Sequence, residues 1–201
     1  TNQPDLIGIA DVAAKIPAFI SKVPNLLNGL RQAYLRTPNT PAGLGLAFEK
    51  ATQRNPEGIA LRFEDQSYTY AHLNGWANQI AHFYLSLGAQ KGDVVAVMVE
   101  NRPEMVASVI GLAKLGVTIA LLNTSQVGKV LAHSINLVKP IALIVGEECR
   151  HAVNEIRDEL NIAADRFHWF ADQPTQQNPG QAPEGFINLA EVIDTFPKFN
   201  P

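Results

Sequence analysis

The sequence predicts an α/β fold: a parallel sheet with flanking helices, plus an antiparallel hairpin. Three observations carry this. From Gly92 to Thr124 a short apolar run, a helical pattern and a second apolar run follow each other closely. That spacing is a βαβ unit, whose strands must be parallel. A third apolar run, Ile141 to Val145, follows another helical stretch, which extends the alternation. Upstream, Ile59 to Phe63 and Ser67 to Tyr70 alternate around Glu64-Asp65-Gln66, as a hairpin does.

Residues 1–43 form an N-terminal helical or amphipathic segment with a linker, and residues 44–201 form the α/β part. Leu6, Ile9, Ala13, Ile16, Ile20, Val23, Leu27 and Leu30 recur at near-helical spacing, with Lys15, Lys22, Arg31 and Arg36 between them. Pro17 and Pro24 are expected to kink or split a helix there. Two readings stay open for residues 6–36. Short helices pack on the main body, or a basic amphipathic segment rests on a membrane surface. Thr37 to Gly45, with Pro38 and Pro41, reads as a linker.

Leu44 to Arg54 is a helix ended by Asn55-Pro56. After the hairpin, Thr69 caps a long helix through Leu87, and Gly88 ends it. Its apolar side is Leu73, Trp76, Ala77, Ile80, Phe83, Tyr84 and Leu87. In the central unit Val94 to Val99 is a buried strand, because its unbroken β-branched run suits a strand covered on both faces. Asn101 is expected to cap the next helix, Pro103 fits its first turn, and Glu104 suits its positive end. Gly116 leaves that helix in a left-handed conformation, and Thr118 to Leu122 is the second strand. Ser125 is expected to cap a helix over Gln126 to Val138. Glu147 to Leu160 reads as a helix with its charges outward, Arg166 to Phe170 as a strand, Asp172 to Pro183 as a loop, and Phe186 to Phe196 as one more short helix.

Bulk properties exclude several classes. Hydrophobic residues make up 46% of the 201, enough to build a core. A net charge of -3 and the lack of a dense Lys/Arg run argue against nucleic acid as a partner. Cys149 is the only cysteine, so no internal disulfide forms, which fits a cytoplasmic chain. No apolar run reaches a membrane span, although a peripheral membrane contact stays open through residues 6–36.

The usual chemical motifs fail on their residues. NTSQVGKV resembles a phosphate-binding loop, but Asn123 stands where its first glycine belongs and Val130 where its hydroxyl belongs. The histidines at 72, 82, 133, 151 and 168 show no zinc spacing with Cys149. His72 and His82 fall on one helix as surface residues rather than a catalytic pair. Glu147 and Glu148 are adjacent and diverge on a helix, so they make no acid/base pair. Cys149, beside Arg150 and His151, is either an activated thiol or a buried, idle one, and the second is preferred. No catalytic, cofactor-binding or metal residue is assigned. In open parallel sheets ligands lie at the carboxyl ends of the strands. That rule makes Glu100, Asn123 and Thr124 the ligand-proximal candidates, against a helix cap or turn hydrogen bond as the plain alternative.

The stretch ALRFEDQSYTYAHLNGWANQIAHFYLSLGAQKGDVVAVMVENRPEMVASVIGLAKLGVTIALLNT resembles the N-terminal portion of the acyl-adenylate-forming enzymes. The matching features are the TY-x-x-L helix start (Thr69, Tyr70, Leu73), the spacing of Gly88 to Gly92-Asp93, and a helix ending Lys114-Leu115-Gly116. ENRPEM, GLAKLGV and ALLNT are similar to the long- and very-long-chain acyl-CoA synthetases, also called fatty acid transport proteins. The similarity is good over about residues 44–150, and its motifs are structural rather than catalytic.

The resemblance implies a long-chain fatty acid–CoA ligase: ATP and Mg2+ convert a fatty acid to an acyl-adenylate, and coenzyme A then takes the acyl group. It also implies that the TSGTTG-type phosphate loop, the magnesium-binding Glu and the C-terminal domain with its catalytic Lys lie downstream of these residues. The expectation is therefore an incomplete adenylation domain, inactive alone and binding none of these cofactors by itself. The alternative is a non-catalytic α/β module for acyl or nucleotide binding, or for membrane or partner docking. Exposed sheet edges also lead us to expect a homo-oligomer.

Overall fold

The computed structural model describes residues 20, 22–35, 42–172 and 180–201. The expectations for residues 6–19, for most of the linker at 37–41 and for the loop at 173–179 lie outside the described residues. The chain divides into two units, Thr1–Pro41 and Ala42–Pro201.

In the first unit α1 spans Val23–Leu35. Pro24 does not split it, because Pro24 lies in the first turn, where a missing amide leaves no helical bond unmade.

In the second unit α2 (Leu44–Arg54) precedes the antiparallel hairpin β1 (Ile59–Phe63) and β2 (Gln66–Thr69), which forms a two-stranded sheet of its own. Next come α3 (Tyr70–Ser86), β3 (Val94–Met98), α4 (Pro103–Lys114), β4 (Thr118–Leu121), α5 (Gly128–Val138) and β5 (Ala142–Gly146). The chain continues through α6 (Arg150–Glu155), β6 (Phe167–Phe170), β7 (Ile187–Asn188) and α7 (Leu189–Ile193). The main sheet has the order β4-β3-β5-β6-β7, and every pair in it is parallel.

Two apolar layers sandwich this sheet. Val95, Val97 and Val99 point to one face with Ala142, Ile144 and Phe170, under α3, α4 and α7. Ala96 and Met98 point to the other with Leu143, Val145 and Phe167, under α5 and α6. This period of two across fully buried strands is why their sequences read as unbroken apolar runs.

The helices start and stop for local reasons. Thr69 Oγ1 accepts the His72 N–H at 3.1 Å and caps α3. Gly88 and Gly116 follow α3 and α4 with φ of 82° and 70°, the left-handed region glycine adopts without strain. Gly111 of α4 lies against the Ala77 carbonyl of α3, and a Cβ there would overlap that oxygen, so the two helices need a glycine to cross this closely.

Four further expectations are corrected. Asn101 does not cap α4; the N-cap residue is Arg102, with no capping side chain. Ser125 does not cap α5, which starts only at Gly128; the Ser125 N–H instead donates to Asn123 Oδ1 at 2.9 Å in a turn. The stretch from Glu147 is not one helix with outward charges. It is a 3-10 turn (Glu147–Cys149), the short α6, and a second 3-10 turn (Arg157–Glu159), and the two glutamates reach back to Trp169 and Arg102 as described below. The region after Phe186 is not all helix, since Ile187 and Asn188 first pair with the free edge of β6.

The residues after α7 run back over α3. Gln79 Nε2 donates to Ile193 O at 3.0 Å and Asn78 Nδ2 to Lys198 O at 2.7 Å. The Lys114 ammonium is almost fully enclosed, donating to Glu49 (2.9 Å), Asn74 (2.8 Å) and Asn200 (3.0 Å). A polar stripe on an otherwise buried helix thus finds its partners in the carboxyl-terminal residues.

Candidate functional site at the carboxyl ends of the strands

Parallel strands bring all their carboxyl ends to one side of the sheet. A groove of about 530 Å³ opens there beyond β3 and β4. Val97, Val99, Met105 and Leu121 line its apolar wall, Phe63 of the hairpin closes one side, and Glu100, Asn123 and Thr124 lie along it. The three candidates from sequence are therefore brought together. Asn123 also serves its own turn, as the plain alternative supposed. Glu100 is exposed, and its backbone N–H donates to Glu148 Oε1 at 2.7 Å.

The strand order puts the reversal of winding between β3 and β5, where α4 leaves toward one face and α6 toward the other. That crevice is filled by side chains whose role the sequence did not reveal. Arg102 turns its guanidinium inward beneath the ends of three strands. Nη1 donates to Ala171 O at 2.6 Å and Nη2 to Phe170 O at 3.3 Å. The same group pairs with Glu148 at 3.4 Å and with Glu104 at 3.8 Å. Glu148 reaches the crevice because Gly146 has no side chain; a Cβ there would overlap the carboxylate. Glu147 accepts the Trp169 indole N–H at 2.7 Å and pairs with Arg150 at 3.0 Å. The one available signal was Arg102 just before an N-terminal Pro103, where an exposed cation opposes the helix dipole unless carboxylates neutralise it.

Carboxylates dominate this end. Burial pushes the Glu104 carboxyl up, and Glu148 and Asp172 add to the rise, while its own backbone N–H and Arg102 oppose it. Burial raises the Cys149 thiol to about 12, with Glu148 and Glu100 contributing, so the activated-thiol reading is overturned and the buried, idle thiol stands. A crevice ringed by carboxylates repels phosphate and carboxylate ligands. Among the described residues no group of three or more His, Cys, Asp or Glu is placed to hold a metal ion, so the magnesium implied by the resemblance finds no fitting donor set here.

The histidines do not converge. His72 stacks edge-on to Tyr68 and Trp76, and His82 Nε2 meets Phe199 O at 3.1 Å. His168 is fully buried on β6 with its Nδ1 2.6 Å from the Tyr84 hydroxyl, and burial lowers it to about 3, so the ring is neutral.

Comparison with known proteins places this architecture. A family model described as AMP-binding enzyme matches residues 48–191. The medium/long-chain-fatty-acid–CoA ligase FadD6 of Mycobacterium tuberculosis is 32% identical over 149 residues, covering 74% of this chain and 25% of the relative. Long-chain fatty acid transport protein 1 of Rattus norvegicus is 39% identical over 122 residues, covering 60% and 19%. The chain thus spans a quarter or less of the length of these curated relatives. Among solved structures, the anthranilate CoA ligase AuaEII in complex with anthranoyl-AMP superposes with a TM-score of 0.71 at 21% identity, over 82% of this chain and 30% of that one. The N-terminal domain of FACL13 from Mycobacterium tuberculosis gives 0.64 at 21% identity, over 80% and 37%. These superpositions show a shared fold, and together with the family match over most of the α/β unit they establish that the chain belongs to the AMP-binding enzyme family.

Proposed function

We propose that these residues are part of a long-chain fatty acid–CoA ligase and serve in it as scaffold. In the proposed reaction the fatty carboxylate attacks the α-phosphorus of ATP and pyrophosphate leaves. The thiol of coenzyme A then attacks the acyl carbon and AMP leaves. The observation that carries this reading is the family match over residues 48–191, with relatives named as fatty acid–CoA ligases. The acidic strand ends support the scaffold role, because a site for triphosphate and carboxylate needs converging cations and amides. The groove supplies instead an apolar wall, Val97, Val99 and Leu121, beside which Glu100, Asn123 and Thr124 are the proposed ligand-proximal residues. Bound there, a ligand would lay apolar surface on the wall and keep its anionic head away from Glu100. Among the described residues no group of three or more His, Cys, Asp or Glu is placed to hold Mg2+. The single cysteine suits the cytoplasm as the compartment.

Incubating the chain with ATP, Mg2+, palmitate and coenzyme A should release no pyrophosphate above the protein-free rate; robust release would overturn the scaffold reading. The groove also favours a second reading, a module that binds acyl chains or nucleotides without chemistry. Calorimetry with palmitate, AMP, ATP and coenzyme A separates the two, since heat of binding without turnover supports the module.

A further inference from the structure

Beyond β3 the chain leaves the sheet through Val99, Glu100 and Asn101, three consecutive residues that form one side of the groove. Their path is set by a side chain that follows another strand. The Val94 carbonyl accepts the Ile141 N–H, so the even-numbered residues of β3 aim their backbone groups at β5. Glu100 continues that alternation, but the pairing of β3 with β5 ends at Met98 and Val145. The Glu148 carboxylate stands in for the next carbonyl, its Oε1 accepting the Glu100 N–H at 2.7 Å. The Glu100 carbonyl in turn accepts the Arg102 N–H at 2.7 Å, a tight turn just before α4. The second Glu148 oxygen lies 3.4 Å from Arg102 Nη2, and that guanidinium is anchored on the Phe170 and Ala171 carbonyls at the end of β6. One carboxylate thus ties the segment after β3 to the ends of β5 and β6.

From this arrangement we infer that Glu148 is the positioning residue of the groove, the group that holds Val99–Asn101 as its side wall for the apolar part of an acyl-bearing ligand. The inference rests on the proposed reading of the groove as the ligand-facing surface. Glu148 does not itself line the groove; it acts through the backbone of Glu100, which does. A charged acceptor holds an amide more firmly than a neutral carbonyl would. The Glu148 side chain is only 22% exposed, so water competes little for that bond. Its neighbour Glu147 supplies the contrast. It sits on the same 3-10 turn, yet its carboxylate is taken by the Trp169 indole and the Arg150 guanidinium, and neither lines the groove. Two adjacent glutamates therefore have separate tasks, one tying α6 to β6 and one shaping the wall.

The test compares Glu148→Ala with Glu147→Ala in the full chain. Each removes a partnered carboxylate, so both should lower the urea midpoint. Only Glu148→Ala should speed hydrogen exchange of the Glu100 amide, by roughly tenfold relative to the Leu143 and Ile144 amides in the middle of β5. Glu148→Asp keeps a carboxylate near Arg102 but withdraws it from the Glu100 N–H, and it should show the same faster exchange with a smaller loss of midpoint. Palmitate affinity by calorimetry is the second readout. It should fall about fivefold or more in Glu148→Ala and stay unchanged in Glu147→Ala. A glutamate that merely stabilises the sheet end would move the midpoint and neither of these. Glu100 exchange left unchanged by Glu148→Ala and Glu148→Asp, or raised equally by Glu147→Ala, would overturn the inference. So would equal palmitate affinity in wild type and Glu148→Ala. A wild-type chain that takes up no palmitate would count against the ligand reading of the groove, and the exchange comparison then decides the role of Glu148 by itself.

Discussion

Gly146 shows how one missing side chain organises a whole end of the molecule. Its backbone is ordinary extended chain, with φ -77° and ψ 153°, so conformation does not demand glycine. Space bears on it instead, because a Cβ there would meet the Glu148 carboxylate, which must then move aside. Gly146→Ala should therefore expel Glu148 from the crevice and leave Arg102 short of one of its two carboxylates. A buried guanidinium that loses part of its pairing is costly, and we expect a loss of about 2 kcal/mol in urea denaturation. The same variant should relieve Cys149 of a neighbouring negative charge, so its reaction with a neutral thiol reagent in the unfolding-free range should begin at lower pH. Unaltered stability and thiol titration would show that Glu148 is not held where the structure has it. These residues were opaque in the sequence for a physical reason. Arg102, Glu104 and Glu148 look like helix-terminal charges, and only the ends of β3, β5 and β6 meeting in space turn them inward.

At the level of elements, α3 and β6 are pinned by the buried Tyr84–His168 pair, with Phe83 packed edge-on against the imidazole. Nearby Arg166 also disfavours the imidazolium, and Asp165 works weakly the other way. The folded ring titrates at about 3 and an unfolded one near 6.5, so the unfolded chain binds the extra proton between those values. The stability from this group is thus complete above 6.5 and is lost as pH falls toward 3. Glu104, with its raised carboxyl, acts in the opposite sense, being most favourable when protonated at low pH. Urea midpoints of the wild type should fall between pH 7 and pH 5. The double variant Tyr84→Phe/His168→Leu, which removes both partners rather than orphaning one, should show a shallower fall. Equal slopes would remove His168 from the account. Sequence periodicity found α3 and its cap because both are local. It did not find β7, since two residues carry no period and become a strand only beside the open edge of β6.

For the whole molecule, the other edge of the sheet matters most. Among the described residues β4 pairs only with β3. The Thr118 and Leu122 N–H groups donate to β3 (Asp93 O at 2.7 Å, Val97 O at 2.9 Å), so the alternation aims those of Ile119 and Leu121 outward. Thr118–Leu121 has no charge or proline to discourage pairing, and Leu121 is exposed. We expect light scattering at high concentration to give a dimer or larger species, and Leu121→Lys to shift it toward monomer. A clean wild-type monomer would contradict this.

By itself the sequence determined the α/β class, the order of its main elements, the buried strands and the membership that its block from Ala60 to Thr124 suggested. Those features are written in periodicity, caps and glycines, which act over a few residues. It also placed Glu100, Asn123 and Thr124 at strand ends, because a strand's carboxyl end is fixed once the strand is found. Only the tertiary structure decided the order β4-β3-β5-β6-β7 and the groove shared by those three residues. It alone revealed the Arg102 cluster and the buried histidine. Each depends on groups far apart in the chain meeting at a distance of a few ångströms, and charge or burial at one position is silent about the partner that will neutralise it.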